Sequence, residues 1–234
     1  MTAKQLLVTL AEEGTEQNKK VYRTHGVAGD LYGVSFSALK KMKADIGTDH
    51  KLAKSLWKTG VHDARVFACM IADPEKMTAA DMDAWVKDLD NYIVCDAFSG
   101  LVARSGDGMA KFKAWKSRKT EYVSAAAWNV LHTLAMENEG ADITAAFAAD
   151  QIKAIEETIK DQPNRTKHSM NQALIWLGLS SPASAKKAVA ASKRIGKVQV
   201  DHGKTNCQTP DAGTSINKTM AQRARAAEKA RRAK

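Results

Sequence analysis

Proline and cysteine are scarce in this chain, and long apolar runs are missing. Only 4 prolines occur in 234 residues, so few positions forbid a helix outright. The 3 cysteines, Cys69, Cys95 and Cys207, lie far apart with no CxxC pair. That pattern suits a reducing cytosol and supplies neither a disulfide framework nor a structural zinc site. No apolar stretch approaches the roughly 20 residues that a membrane span needs. The opening run MTAKQLLVTLAEEGTEQ is too briefly apolar, and too soon acidic, for a signal peptide; a cytoplasmic protein is the expectation. Walker loop, HExxH, GxSxG and GxGxxG are all missing from the sequence, which removes most hydrolases, kinases and dehydrogenases.

What is present is positive charge, and it is unevenly placed. Residues 186–234 hold 13 Lys/Arg against 3 Asp/Glu, whereas the preceding 185 residues hold 23 of each. The net charge of +10 therefore belongs to the C-terminal fifth. A clustered cationic tail attracts polyphosphate without sequence preference, and it serves equally well as a solubilising tail.

Ala, Lys, Leu and Met dominate the body, with apolar residues at helical spacing. Phe36, Leu39, Met42 and Ile46 form one such series, ended by Gly47. The next starts at Thr48 or Asp49 as N-cap, carries Leu52, Leu56 and Trp57, and stops at Gly60. Residues 62–74 read as a helix closed by Pro74, and Thr78 reads as the cap of another. Helical patterns continue through 90–106, 120–138, 145–160, 165–179 and 183–196. HDARVFACMIA, YVSAAAWNVLHTLA and KHSMNQALIWLG look alike, each with small and large apolar residues three and four apart. Their starts are separated by about one HEAT unit of 40–47 residues or somewhat more. An all-α, HEAT-like solenoid of antiparallel helix hairpins is the expected fold, with a concave face that suits a long ligand. The expected division is a helical-repeat domain over 1–196, an ordered loop over 197–217 with a short strand at Val198–Val200, and a mobile basic tail over 218–234, although that tail's residues are good helix formers.

Chemistry concentrates on the segment 91–103. Ile93, Val94, Ala97, Phe98 and Leu101 mark an apolar face, while Tyr92, Asp96, Ser99, Gly100 and Ala103 recur on another. An aromatic and a carboxylate on a stripe of small residues describe a groove floor; alternatively Asp96 pairs with a base of a neighbouring repeat. Trp176, near the end of an apolar helix, is either core or a stacking surface for a nucleobase or sugar; Trp57, Trp85, Trp115 and Trp128 read as core. Asp201, His202 and Cys207 lack a second Cys/His cluster, so no metal and no cofactor are expected.

The run from Gly33 to Asp96 resembles the AlkD-like DNA alkylation repair family. It is similar to that family in its "FG-x-LK-x-x-A", "DH-x-LA-x-x-LW-x-x-G-x-HEAR" and "W-x-x-D-x-D-x-W-D-x-x-D" segments, and the resemblance extends over roughly residues 30–195. It implies a HEAT-like solenoid acting on double-stranded DNA, alkylated or not; a monomer is the expectation. It implies excision of N3- and N7-alkylated purines by cleavage of the N-glycosidic bond. It also places Asp96 as the catalytic carboxylate, with Tyr92 and Trp176 as substrate-binding aromatics. Three departures stand against catalysis. Tyr92 occupies a tryptophan position, the family's "V-R-R-A" reads Val123-Ser124-Ala125-Ala126, and no arginine follows Trp176-Leu177. The alternative is a non-catalytic HEAT-like module that binds DNA, RNA or a protein.

Overall fold

The computed structural model describes residues 1–137 and 143–232. Among them are thirteen α-helices, three short 3-10 turns and no strand. These residues fall into two compact units, one of residues 1–130 with 202–207, the other of the described residues of 131–201 and 208–234.

The first unit holds α1 (Ala3–Glu13), α2 (Glu16–Thr24), α3 (Phe36–Ile46), α4 (His50–Trp57), α5 (His62–Ile71), α6 (Ala79–Trp85), α7 (Tyr92–Ala103) and α8 (Gly108–Trp115), and α9 (Glu121–Glu137) begins in it. Most of these helices start on a side-chain cap that satisfies an otherwise orphaned N–H. Asp49 accepts from Leu52 N, and Thr78 from Asp81 N. Gly47 stops α3 at a φ of 73°, and Gly60, in the turn that follows the C-cap Lys58 of α4, has a φ of 75°, where a side chain would be strained. The helix at 62–74 ends earlier than its Pro74 suggests. Ala72 already leaves helical geometry, and Pro74 instead opens a 3-10 turn capped by Asp73.

An aromatic ladder forms the centre of this unit. Trp57 and Trp85 stack with centroids 4.2 Å apart and planes 5° from parallel. Phe98 lies against both and against Trp115. Acids at the ladder's edge satisfy two of its indole N–H groups. Trp57 Nε1 donates to Asp88 at 2.8 Å, and Trp115 Nε1 to Asp83 at 2.9 Å. Asp83 also meets Lys111 Nζ at 2.8 Å, and Asp81 meets Lys54 at 2.6 Å. The acids of the segment DMDAWVKDLD thus bind one helix to the next.

The second unit packs α10 (Ala145–Thr158), α11 (Asn164–Gly178), α12 (Pro182–Ile195) and α13 (Ala212–Arg232) with the end of α9. Ile152, Ile155, Leu174, Leu177, Ala188, Ala191 and Ile216 are among its buried apolar residues. No strand forms at Val198–Val200. The neighbouring backbone is bound by a side chain instead: Asn164 donates to Asp201 O and accepts from Asp201 N, both at 2.7 Å. Helix also begins inside the stretch read as loop. Asp211 accepts from Thr214 N at 2.7 Å and starts α13 at Ala212, and the basic segment continues that helix.

Candidate functional site

Helix α7 is set in place from below. Asn91, almost fully buried, caps it by accepting from Ile93 N and Val94 N, each at 3.1 Å. Its amide reaches Asp90 at 2.7 Å and lies 3.4 Å from His62 Nδ1. His62 packs on the Tyr22 ring, centroids 5.0 Å apart, and the Tyr22 hydroxyl donates to Val34 O at 2.5 Å. Burial, reinforced by the charge of Asp63, pushes the Tyr22 phenol up to about 12, so it remains a donor. Asp63 binds the segment before α3, accepting from the N–H groups of Tyr32, Gly33 and Val34 at 2.6, 3.3 and 2.7 Å. This carboxylate stands where the family pattern "HEAR" has its acid, and its work is to hold a loop.

On that frame Tyr92 and Asp96 share one side of α7 and open onto the same depression. The hollow has a volume of about 330 Å³ and is lined also by Val21, His25, Phe36 and Ala97. Val21 and Phe36 are 41% and 45% exposed, so apolar surface faces solvent beside a carboxylate. The Tyr92 hydroxyl lies 2.5 Å from His25 Nδ1. Asp96 is exposed, and its Oδ1 accepts from Asn129 Nδ2 at 2.7 Å.

The small residues expected to extend this stripe do not line the hollow. Ser99 is fully buried, with its hydroxyl donating to Cys95 O at 2.7 Å and lying 3.3 Å from Ala126 O on α9. Ala103 is buried as well. The smallness of Ser99 lets α9 come close, and the groove floor shrinks to the Tyr92–Asp96 end. Val123, Ser124, Ala125 and Ala126, at the family's arginine positions, are all buried; packed this way, α9 turns no cation outward there. Sequence reasoning missed Asn129 and His25. A lone polar residue in the apolar run AAAWNVL was the available signal for the first.

Trp176 belongs to the second unit. It is half-buried, whereas Trp57, Trp85, Trp115 and Trp128 are buried. Its ring lies 6.0 Å from that of His132, and burial holds the His132 imidazole below its usual value. No group of three potential metal ligands occurs among the described residues, and none of their helices is long and apolar enough to cross a membrane.

The family profile described as "DNA alkylation repair enzyme" matches residues 6–216. This chain belongs to the DNA alkylation repair enzyme family. Among the curated proteins similar to it are uncharacterized proteins of Listeria innocua, 26% identical over 205 residues, and Listeria monocytogenes, 27% identical over 210 residues. Each alignment covers 85% of this chain and 88% of the relative. A solved structure is similar over 95% of both chains, with a TM-score of 0.86 and 28% identity. It is described as representing a family related to the HEAT-like repeat DNA glycosylases, with affinity for branched DNA structures. The all-helical, HEAT-like fold of this DNA alkylation repair family member is thereby established.

Proposed function

We propose that the protein binds double-stranded DNA and cleaves the N-glycosidic bond of N3- or N7-alkylated purines, with Asp96 as the electrostatic catalyst. The observation that carries this is the exposed Asp96 carboxylate, hydrogen-bonded by the neutral amide of Asn129 at 2.7 Å, on the wall of an apolar hollow beside Tyr92. An alkylated purine departs as a cationic leaving group and needs little proton donation. The developing charge falls on the sugar, where a fixed carboxylate stabilises an oxocarbenium ion and orients the attacking water. Asn129 orients that carboxylate and leaves its charge in place. Tyr92 offers an aromatic wall to the deoxyribose, and Trp176 a stacking surface for a base.

A second reading, DNA binding without catalysis, is favoured by one observation. The buried run Val123–Ala126 supplies no arginine to clamp a phosphate. Affinity for branched DNA, as described for the similar solved structure, would then be the activity itself. Release of 7-methylguanine or 3-methyladenine from methylated duplex DNA tests the two. Release that Asp96→Asn abolishes supports the glycosylase. No release, together with binding to a four-way junction in preference to a linear duplex, replaces it with the second reading.

A further inference from the structure

Helix α13 carries two stripes of opposite character. Ala212, Ile216 and Arg223 recur at i, i+4 and i+11, one side of a helix that turns about 100° per residue. Ala212 and Ile216 are buried, and Arg223 Nη1 donates to Leu179 O at 2.9 Å. The seat for Ile216 is Gly178 on α11, where an added Cβ would come within 2.7 Å of Ile216 Cδ1 and 2.9 Å of Ala188 Cβ. Gly213 N donates to Ser192 Oγ on α12 at 3.0 Å. The first half of α13 is therefore fixed to the second unit.

The other stripe consists of Lys218, Arg225 and Lys229 at i, i+7 and i+11, turned about 140° from the anchoring side. All three are exposed, as is every described residue from Ala221 onward. Glu228 is flanking and pairs with Arg232, outside the stripe. From Lys218 to Lys229 the helix rises about 16 Å, a length over which duplex DNA presents on the order of ten phosphates.

We propose that α13 is a phosphate-tracking arm, with Lys218, Arg225 and Lys229 lying along the DNA backbone irrespective of sequence. This deepens the DNA-binding reading above and rests on it. Charge complementarity selects the partner. A helix that lies on an anionic membrane needs a broad apolar face to insert, and the projecting half of α13 offers alanine, glutamine and cations. Because its base is anchored, the arm holds its cations at fixed spacing.

The test uses the full chain, with a linear duplex and a four-way junction titrated over a salt series. Lys218→Gln/Arg225→Gln/Lys229→Gln should flatten the slope of log K against log salt by up to about 3, one released counterion per lost phosphate contact. Lys40→Gln/Lys41→Gln/Lys43→Gln, which removes the same charge from exposed positions of α3, should flatten it less. Circular dichroism should show unchanged helix in both variants. A stripe variant with the wild-type slope, or one that changes no more than the α3 control, overturns the arm. So does binding to phosphatidylserine vesicles that the stripe variant loses while its DNA slope stays the same. A wild-type chain that binds neither DNA would overturn the DNA-binding reading too, whereas a steep wild-type slope untouched by the stripe variant removes the arm alone.

Discussion

The amide of Asn129 donates to the carboxylate of Asp96 across 2.7 Å, joining α9 to α7 at the mouth of the apolar hollow. A neutral donor fixes the direction of the acid without cancelling its charge. That arrangement suits electrostatic stabilisation, since a preorganised group needs no reorganisation when charge develops.

Asp96→Asn keeps the shape of the side chain and removes its charge. Glycosylase activity should fall by on the order of a hundredfold or more, as expected for loss of a contact worth about 3 kcal/mol. The melting temperature should hardly move, because the side chain is exposed. Asn129→Ala should cost less activity than Asp96→Asn, with the carboxylate retained but no longer oriented. Single-turnover rates and thermal melts on the same preparations check both. An Asp96→Asn protein that melts far earlier yet keeps its activity per folded molecule would make Asp96 structural.

Asp63 should matter for stability far more than its exposed counterpart. Asp63→Ala leaves three N–H groups around Tyr32–Val34 without their acceptor, a loss of about 3 kcal/mol or more. Asp63→Asn should cost less, since one side-chain oxygen still accepts. Urea denaturation should show the midpoint falling at constant m; an unchanged midpoint would mean that the loop is held by other contacts.

Stability should fall on mild acidification. Burial lowers the pKa of His62 against the opposing charges of Asp63 and Asp90, and burial lowers that of His132. Both therefore stay neutral in the folded chain at a pH where the unfolded chain, near the ordinary value of 6.5, already takes up protons. Protonation favours the unfolded state, so stability is flat above about pH 7 and declines below about 6.5. Melting temperature against pH measures this. His132→Gln should flatten the decline, and an identical profile in that variant would count against the role of His132.

Gly178→Val should destabilise the second unit. Its side chain would overlap Ile216 and Ala188, the first contact lying at 2.7 Å from the Cβ position alone. Overpacking of this kind costs about 1–3 kcal/mol, and α13 should become sensitive to trypsin at Lys218 and Arg223 before the rest of the unit. Equal protease resistance in variant and wild type would show that Ile216 does not hold the helix down.

Much of the fold was legible because its signals are local. Asp49 and Thr78 cap helices through their own side chains, and glycine ends helices through its own backbone. Helices α1 and α2 are harder to read. They carry caps at Thr2 and Thr15, but bury only Leu6 and Leu10 in one and Tyr22 in the other, which leaves little periodicity. The shared side of Tyr92 and Asp96 follows from their spacing of four. Their partners do not: Asn129 and His25 are separated from them by 33 and 67 residues, distances that only tertiary packing closes. Ser99 and Ala103 mark the limit in the other direction, since a stripe of small residues serves a groove and a close helix contact equally well.

The Trp57–Trp85 pair, with indole centroids 4.2 Å apart and planes 5° from parallel, gives the first unit an optical signature. Two chromophores in that arrangement couple their transitions, and the coupling weakens steeply as the rings separate. Trp176 is the one tryptophan of the second unit, the other four of the chain's 5 lying in the first. Near-ultraviolet dichroism then follows the packing of one unit, while the emission of a Trp176-only variant follows the other. The two units carry separate native reporters, and whether they melt together or apart is readable without an added label.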